Sequence, residues 1–126
     1  MNKDEVISNI CKFSVNYKSV GSRSINDWVR DSGWLTHQGN ISMKDIKEFL
    51  KSSPELIDSW LCYSSDKRTS SGWYFKENVE ECSFVVGYFE NKIGTTKEVK
   101  YLQSIDACAQ FILNEFHHFH INSINK

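Results

Sequence analysis

Proline is nearly missing from this chain: Pro54 is the only one in 126 residues. One proline break is therefore expected, at Ser53-Pro54, where proline suits a first helical turn and interrupts what precedes it. Long apolar runs are missing too. No segment approaches the roughly 20 apolar residues of a membrane-spanning helix, so no membrane partner is expected. A surplus of basic charge is also lacking. Fifteen Lys and Arg stand against 16 Asp and Glu, for a net charge of -1. Nucleic-acid binders draw much of their affinity from phosphate neutralisation, so direct nucleic-acid contact is not expected.

The cysteines lack pattern. Cys11, Cys62, Cys82 and Cys108 are far apart and form no C-x-x-C, which argues against a zinc knuckle or a thioredoxin-type motif. All four have apolar neighbours and read as buried free thiols of a cytoplasmic protein. The start, Met-Asn-Lys-Asp-Glu-Val, has no apolar run behind its charges, so no secretory signal is expected. G-x-S-x-G, G-x-G-x-x-G, the phosphate-loop pattern and H-E-x-x-H are all absent. No catalytic residue, metal or cofactor is indicated.

What the chain does have is aromatic mass: four Trp, five Tyr and eight Phe, within 40% apolar and 25% charged residues. That is a globular composition. The length fits one domain, residues 1–126, able to hide roughly two-thirds of its unfolded surface.

Val6, Ile10, Phe13 and Tyr17 recur at helical spacing and predict a helix over 3–18, stopped by Gly21. Ser24 to Asp27 and Ser42 to Asp45 have capping-box form. The first predicts a short helix with Trp28 and Val29 that ends at Gly33; the second predicts one with Ile46, Phe49 and Leu50 inward. Trp34 to Asn40 reads as a turn-rich connector. A fourth helix from Pro54 carries Leu56, Ile57, Trp60, Leu61 and Tyr63. The polar stretch 64–72 is expected to be a loop inside the domain.

The period then changes. Residues 72–75, 83–90 and 98–102 are rich in β-branched and aromatic side chains and predict strands, with a hairpin connection over 90–96. The strand 83–90 is apolar on both faces: Phe84, Val86 and Tyr88 on one, Val85 and Phe89 on the other. That predicts a central strand, covered on both sides or partnered on its open face. Ser104 caps a last helix with Ile105, Cys108, Ala109, Ile112 and Phe116 inward. The class is α+β: N-terminal helices over about 1–63, then an antiparallel sheet of about three or more strands and a C-terminal helix packed on it, over about 72–121.

Three of the four histidines crowd into Glu115 to His120. Glu115 and His118 share a helical face, but the second E-x-x-H and further glutamates of a di-metal bundle are missing. The segment reads as a helix end with solvated histidines, and Phe116 and Phe119 pin it to the core.

Glu77, Glu80 and Glu81 gather at a strand connection. With Trp73, Tyr74 and Tyr88 nearby, they make a candidate partner-binding surface: aromatic anchors beside an acidic edge. Lys67 and Arg68 beside Trp73 and Tyr74, or a helix-turn-helix over 24–33 and 42–52, support a rival reading as a small DNA- or RNA-binding regulator. A further rival is an enzyme with a dispersed site.

In size and general character the chain resembles the immunity proteins of bacterial polymorphic toxin systems, including those of contact-dependent growth inhibition. The stretches that carry the resemblance are Ser71 to Phe75, Phe84 to Glu90 and Asp106 to Phe116. The resemblance implies stoichiometric binding and neutralisation of a cognate toxin domain, often a nuclease. Such proteins are diverse and share no site, so the resemblance assigns no residue a role.

Overall fold

The computed structural model describes residues 2–16, 25–66 and 72–124. Among these residues seven α-helices and three strands follow one another: α1 Lys3–Cys11, α2 Phe13–Asn16, α3 Ile25–Ser32, α4 Trp34–His37, α5 Met43–Ser52, α6 Glu55–Asp66, β1 Gly72–Asn78, β2 Ser83–Glu90, β3 Gly94–Tyr101 and α7 Ser104–Ile124. The class is α+β. The strands form one antiparallel sheet in the order β1-β2-β3, and α7 packs across one face of all three.

The expected helix over 3–18 is two pieces. Lys12, at φ -91° and ψ 0°, leaves helical geometry and ends α1, and Phe13 restarts the chain as α2. The kink aims Phe13 into the core, where its ring lies 4.6 to 6.2 Å from those of Trp28, Trp60, Tyr63, Phe116 and Phe119. Tyr17, Gly21 and Ser24 lie outside the described residues.

The expected connector at 34–40 is also a correction. Gly33 turns the chain in the left-handed region, at φ 88°, which glycine adopts without strain. Ser32 Oγ then accepts the Trp34 N–H at 3.2 Å. Trp34 begins α4 fully buried, and a 3-10 turn, Gln38–Asn40, completes the segment. Between α3 and α5, the two segments of the expected helix-turn-helix, stand α4 and a 3-10 turn in place of a short connection.

The capping box before α5 is present in both directions. Asp45 N–H donates to Ser42 Oγ at 3.3 Å, and Asp45 Oδ2 accepts the Ser42 N–H at 2.9 Å. That backbone donor, first, holds the Asp45 carboxyl below the usual carboxylate range; Lys3 assists. Helix α6 begins just after Pro54 and runs to Asp66, so 64–66 are helical rather than loop. Strand β3 starts at Gly94, four residues earlier than expected. Gly-Thr-Thr-Lys has no apolar alternation to reveal it, because β3 is exposed along most of its length.

One cluster of buried side chains joins α1, α2, α3, α4, α5, α6, β1, β2 and α7. Cys11 and Cys108 belong to it, and burial pushes the Cys11 thiol up to about 12 and raises Cys108 as well. Cys62 and Cys82 are exposed, contrary to the expectation of four buried thiols. Cys62 falls on the outer side of α6, and Cys82 sits at φ 51° in the tight turn after β1. No helix among the described residues is long and apolar enough to cross a membrane.

The segment Glu115 to His120 is not a helix end, because α7 continues to Ile124. Phe116 and Phe119 are buried as expected, and Glu115 is fully buried too. Its Oε2 accepts the Tyr63 hydroxyl at 2.7 Å. The His118 ring lies against Tyr88 of the sheet, at 6.1 Å, and His117 against Trp34, at 5.2 Å. Glu115 and His118 thus face different neighbours. Among the described residues no three His, Cys, Asp or Glu are grouped to hold a metal ion.

A buried carboxyl deprived of a hydrogen-bond donor costs more than the bond itself was worth. Tyr63→Phe should therefore lower the unfolding free energy by about 1–2 kcal/mol. Urea denaturation followed by far-UV circular dichroism measures this, and an unchanged midpoint would show that the hydroxyl contributes nothing.

Candidate functional site

Side chains alternate across the sheet. Trp73, Phe75, Phe84, Val86, Tyr88, Lys97, Val99 and Tyr101 share the inner side, toward α7. Tyr74, Lys76, Val85, Gly87, Phe89, Glu98 and Lys100 share the outer side. Helices pack on the inner side and along the edge of β1. No helix or strand among the described residues lies over the outer side.

Gly87 is the reason the outer side is flat at its centre. It stands between Tyr74 of β1 and Glu98 of β3 in register. The Tyr74 ring lies across it where a side chain would otherwise be. From there Tyr74 Oη donates to Glu98 Oε2 at 2.5 Å, and the Lys76 ammonium sits 5.5 Å from the ring centroid. Burial first, and then the bond to the Glu98 carboxylate, raise the pKa of the phenol. Tyr74 therefore stays a protonated donor. Val85 is buried, with Lys76 and Lys100 flanking it in register; the lysine stems shield it while their charges reach water.

Beside this face a cleft of about 660 Å³ opens between the end of α6 and β1. Leu61, Trp73, Tyr74, Phe75 and Phe89 give it an apolar floor, and Ser64, Ser65, Lys76, Glu77 and Thr95 give it a polar margin. Its α6 wall is fastened to the strand, because the Phe75 N–H donates to Ser64 Oγ at 2.8 Å. That bond satisfies an outward N–H of an edge strand. Phe89 remains 42% exposed, a large apolar ring left facing solvent.

The six residues expected to meet a partner are thus divided. Trp73, Tyr74 and Glu77 line the cleft together. Tyr88 lies on the inner side, its ring 5.2 Å from Trp73 and in contact with His118. Glu80 and Glu81 occupy the turn after β1, exposed. The Glu81 carboxylate pairs with Lys100 of β3, so the acidic edge carries its own countercharge. Lys67 and Arg68 lie outside the described residues.

Phe89, Leu61, Ser64 and Thr95 were missed as site residues. The signal for Phe89 was its position on the second apolar face of β2. Leu61 belongs to the apolar stripe of α6, and Ser64 reaches the site because α6 runs on past that stripe to Asp66. Among the described residues that line the site, no nucleophile is seen paired with a base. The site offers an apolar floor, a tyrosine hydroxyl fixed by its bond to Glu98 and balanced charges at its margin, which suits recognition of another surface. Compared with known protein families, curated proteins and solved structures, the chain matches none.

Proposed function

We propose that the chain is an immunity-type inhibitor: it binds a toxin domain, a nuclease by preference, in a stoichiometric complex and blocks it without chemistry. The observation that carries this reading is the outer side of the sheet. It is a flat surface built on Gly87 and Tyr74 and continuous with the cleft that holds Phe89. A rigid sheet presenting aromatic side chains is the kind of surface on which a few anchors supply most of the binding energy.

The charges support it. Lys76, Glu77, Glu98, Lys100 and the paired Glu81 mix both signs around the apolar floor. Such a rim favours registration of a protein partner over phosphate neutralisation. Burial keeps the Cys11 and Cys108 thiols protonated, which suits packing and not nucleophilic attack.

The test takes the reading frame immediately upstream of this chain's gene, asks whether it encodes a toxin, and uses its C-terminal domain as the partner. Wild-type protein should co-purify with it and titrate its activity to zero at one equivalent. Phe89→Asp should weaken binding at least a hundredfold, about 2.7 kcal/mol, because it places a charge in a desolvated contact. Charge reversal of Glu77, Glu80 and Glu81 together should weaken it about tenfold, as befits a rim. Full neutralisation by Phe89→Asp at wild-type concentrations would remove the outer face from the interface. Failure of wild-type protein to bind the domain would remove the immunity reading itself.

A further inference from the structure

Strand β3 ends the sheet. Among the described residues no element pairs with its far edge, and residues 95–100 are all exposed. An edge strand leaves a row of backbone donors and acceptors ready to pair with another strand. Val99 lies on this edge, 53% exposed, and Leu102 just beyond it is 79% exposed. We infer that β3 pairs with β3 of a second copy of this chain, antiparallel and centred on Val99, to make one continuous six-stranded sheet.

The register follows from face and charge. Opposed residues of an antiparallel pair point to the same side of the sheet. In a twofold-symmetric pair one residue must therefore face its own copy. The regular part of β3 is 97–101, because the register against β2 shifts at Tyr88/Phe89 and leaves Thr96 as an extra residue. Five centres fall within it; one at Tyr101 would set Lys100 and Val99 against Leu102 and Gln103, beyond the end of the strand, and would pair no opposite charges. Centres at Lys97, Glu98 or Lys100 each set like charges directly opposite, which destabilises a pair.

The centre at Val99 does the reverse. Val99 meets Val99 of the second copy, Glu98 meets Lys100 twice, and Lys97 meets Tyr101 twice. The outer side then gains two opposite-charge pairs. The inner side gains an apolar contact flanked by two lysine–tyrosine pairs. A groove of about 290 Å³ lies between β3 and α7 there, lined by Trp73, Val86, Lys97, Val99, Tyr101 and Asn114 among others. Pairing at Val99 brings this groove against its symmetry mate and covers the exposed valine from both sides.

The sequence of charges thus makes β3 complementary to itself in one register. A second copy is the occupant that this pattern fits. The inference does not rest on the toxin-binding reading: it is drawn from the open backbone edge and the charge order of β3, although Glu98 and Lys100 also belong to the margin of the outer face.

Sedimentation velocity of the full chain over a range of concentrations tests it, with circular dichroism to verify folding. Wild-type protein should show a concentration-dependent dimer. Glu98→Lys and Lys100→Glu should each weaken dimerisation about tenfold, since each turns two attractive pairs into two repulsive ones. The double variant Glu98→Lys/Lys100→Glu should return to within about threefold of wild type. Its recovery cannot come from within one chain. The double variant restores neither the Tyr74–Glu98 bond nor the Lys100–Glu81 pair. Val99→Lys, which sets two ammonium groups on the twofold axis, should abolish the dimer.

A monomer at every concentration would overturn the inference, and so would a dimer indifferent to the single variants. Singles and double weakened alike would overturn it too. If wild-type protein is monomeric and a toxin domain protects the β3 amides from hydrogen exchange, the edge belongs to the partner and self-pairing is wrong.

Discussion

Trp60→Ala is expected to lower the unfolding free energy by about 3–5 kcal/mol, enough to leave a domain of ordinary stability partly unfolded at 37 °C. Two effects add. The indole is fully buried, with ring contacts to Phe13, Tyr63 and Phe111 at 6.2, 5.2 and 5.8 Å. Removing it leaves a cavity between α2, α6 and α7 that rigid neighbours cannot close. The indole also has a polar task. Its Nε1–H donates to the Cys11 carbonyl at 2.8 Å.

Cys11 ends α1, where carbonyls lack partners within the helix. Trp60 thus serves as a cap delivered from another helix, and alanine leaves that carbonyl buried and unmet. Trp60→Phe separates the two effects. It keeps most of the ring and loses the donor, so it should cost about 1–3 kcal/mol. Urea titration of the three proteins gives the comparison. Equal costs for alanine and phenylalanine would mean that the cavity matters little. No cost for phenylalanine would mean that the bond is idle.

Gly87→Val should cost about 3 kcal/mol, the upper end of overpacking, because two obstacles meet the new side chain at once. One is the Tyr74 ring. The other is backbone: a Cβ at this position would stand 2.6 Å from the Lys97 carbonyl oxygen. To admit valine, Tyr74 must leave its seat and give up its bond to Glu98. The same change on a Tyr74→Ala background should therefore cost distinctly less, by about 1 kcal/mol or more. Strict additivity would show that the ring is not what excludes a side chain. The two substitutions also part stability from binding. Trp60→Ala lies in the core and should leave the affinity of the folded fraction unchanged, whereas Gly87→Val deforms the face itself.

The division between what sequence revealed and what it hid follows the periods of the chain. Helices with two-sided contrast were plain. Ile46 and Leu50 behind the Ser42 cap, and the stripe from Cys108 to Phe116, lie where their spacing puts them. The α4 segment was hidden because four residues are too few for a period, and because Gly33 and Gly39 read as turn residues. Trp34 was the clue, a side chain too large to leave in a connector. The N-terminal half of β3 was hidden for the opposite reason. An exposed edge strand has no buried face to imprint on its composition.

The sequence places Glu115 on a helical face with His118 and gives no sign that its carboxylate is buried. One of its partners is Tyr63, 52 positions away, and no local pattern reports such a partner. The candidate site was half legible. Trp73, Tyr74 and Glu77 stood out by type. Phe89 joined them only once the fold set β2 beside the cleft.

Helix α7 has a consequence in time. It packs against α1, α3, α5, α6 and all three strands, yet it is the last of the described elements to be synthesised. Until 104–124 emerge from the ribosome, Phe13, Trp34 and Phe75 lack the wall that buries them. At about 5–20 residues per second, translating its 21 residues takes roughly one to four seconds. Through that interval the nascent chain exposes aromatic surface and an unpaired strand edge, the features that chaperones bind and that lead to aggregation. A translational pause at any point before α7 leaves the ribosome would lengthen that exposure.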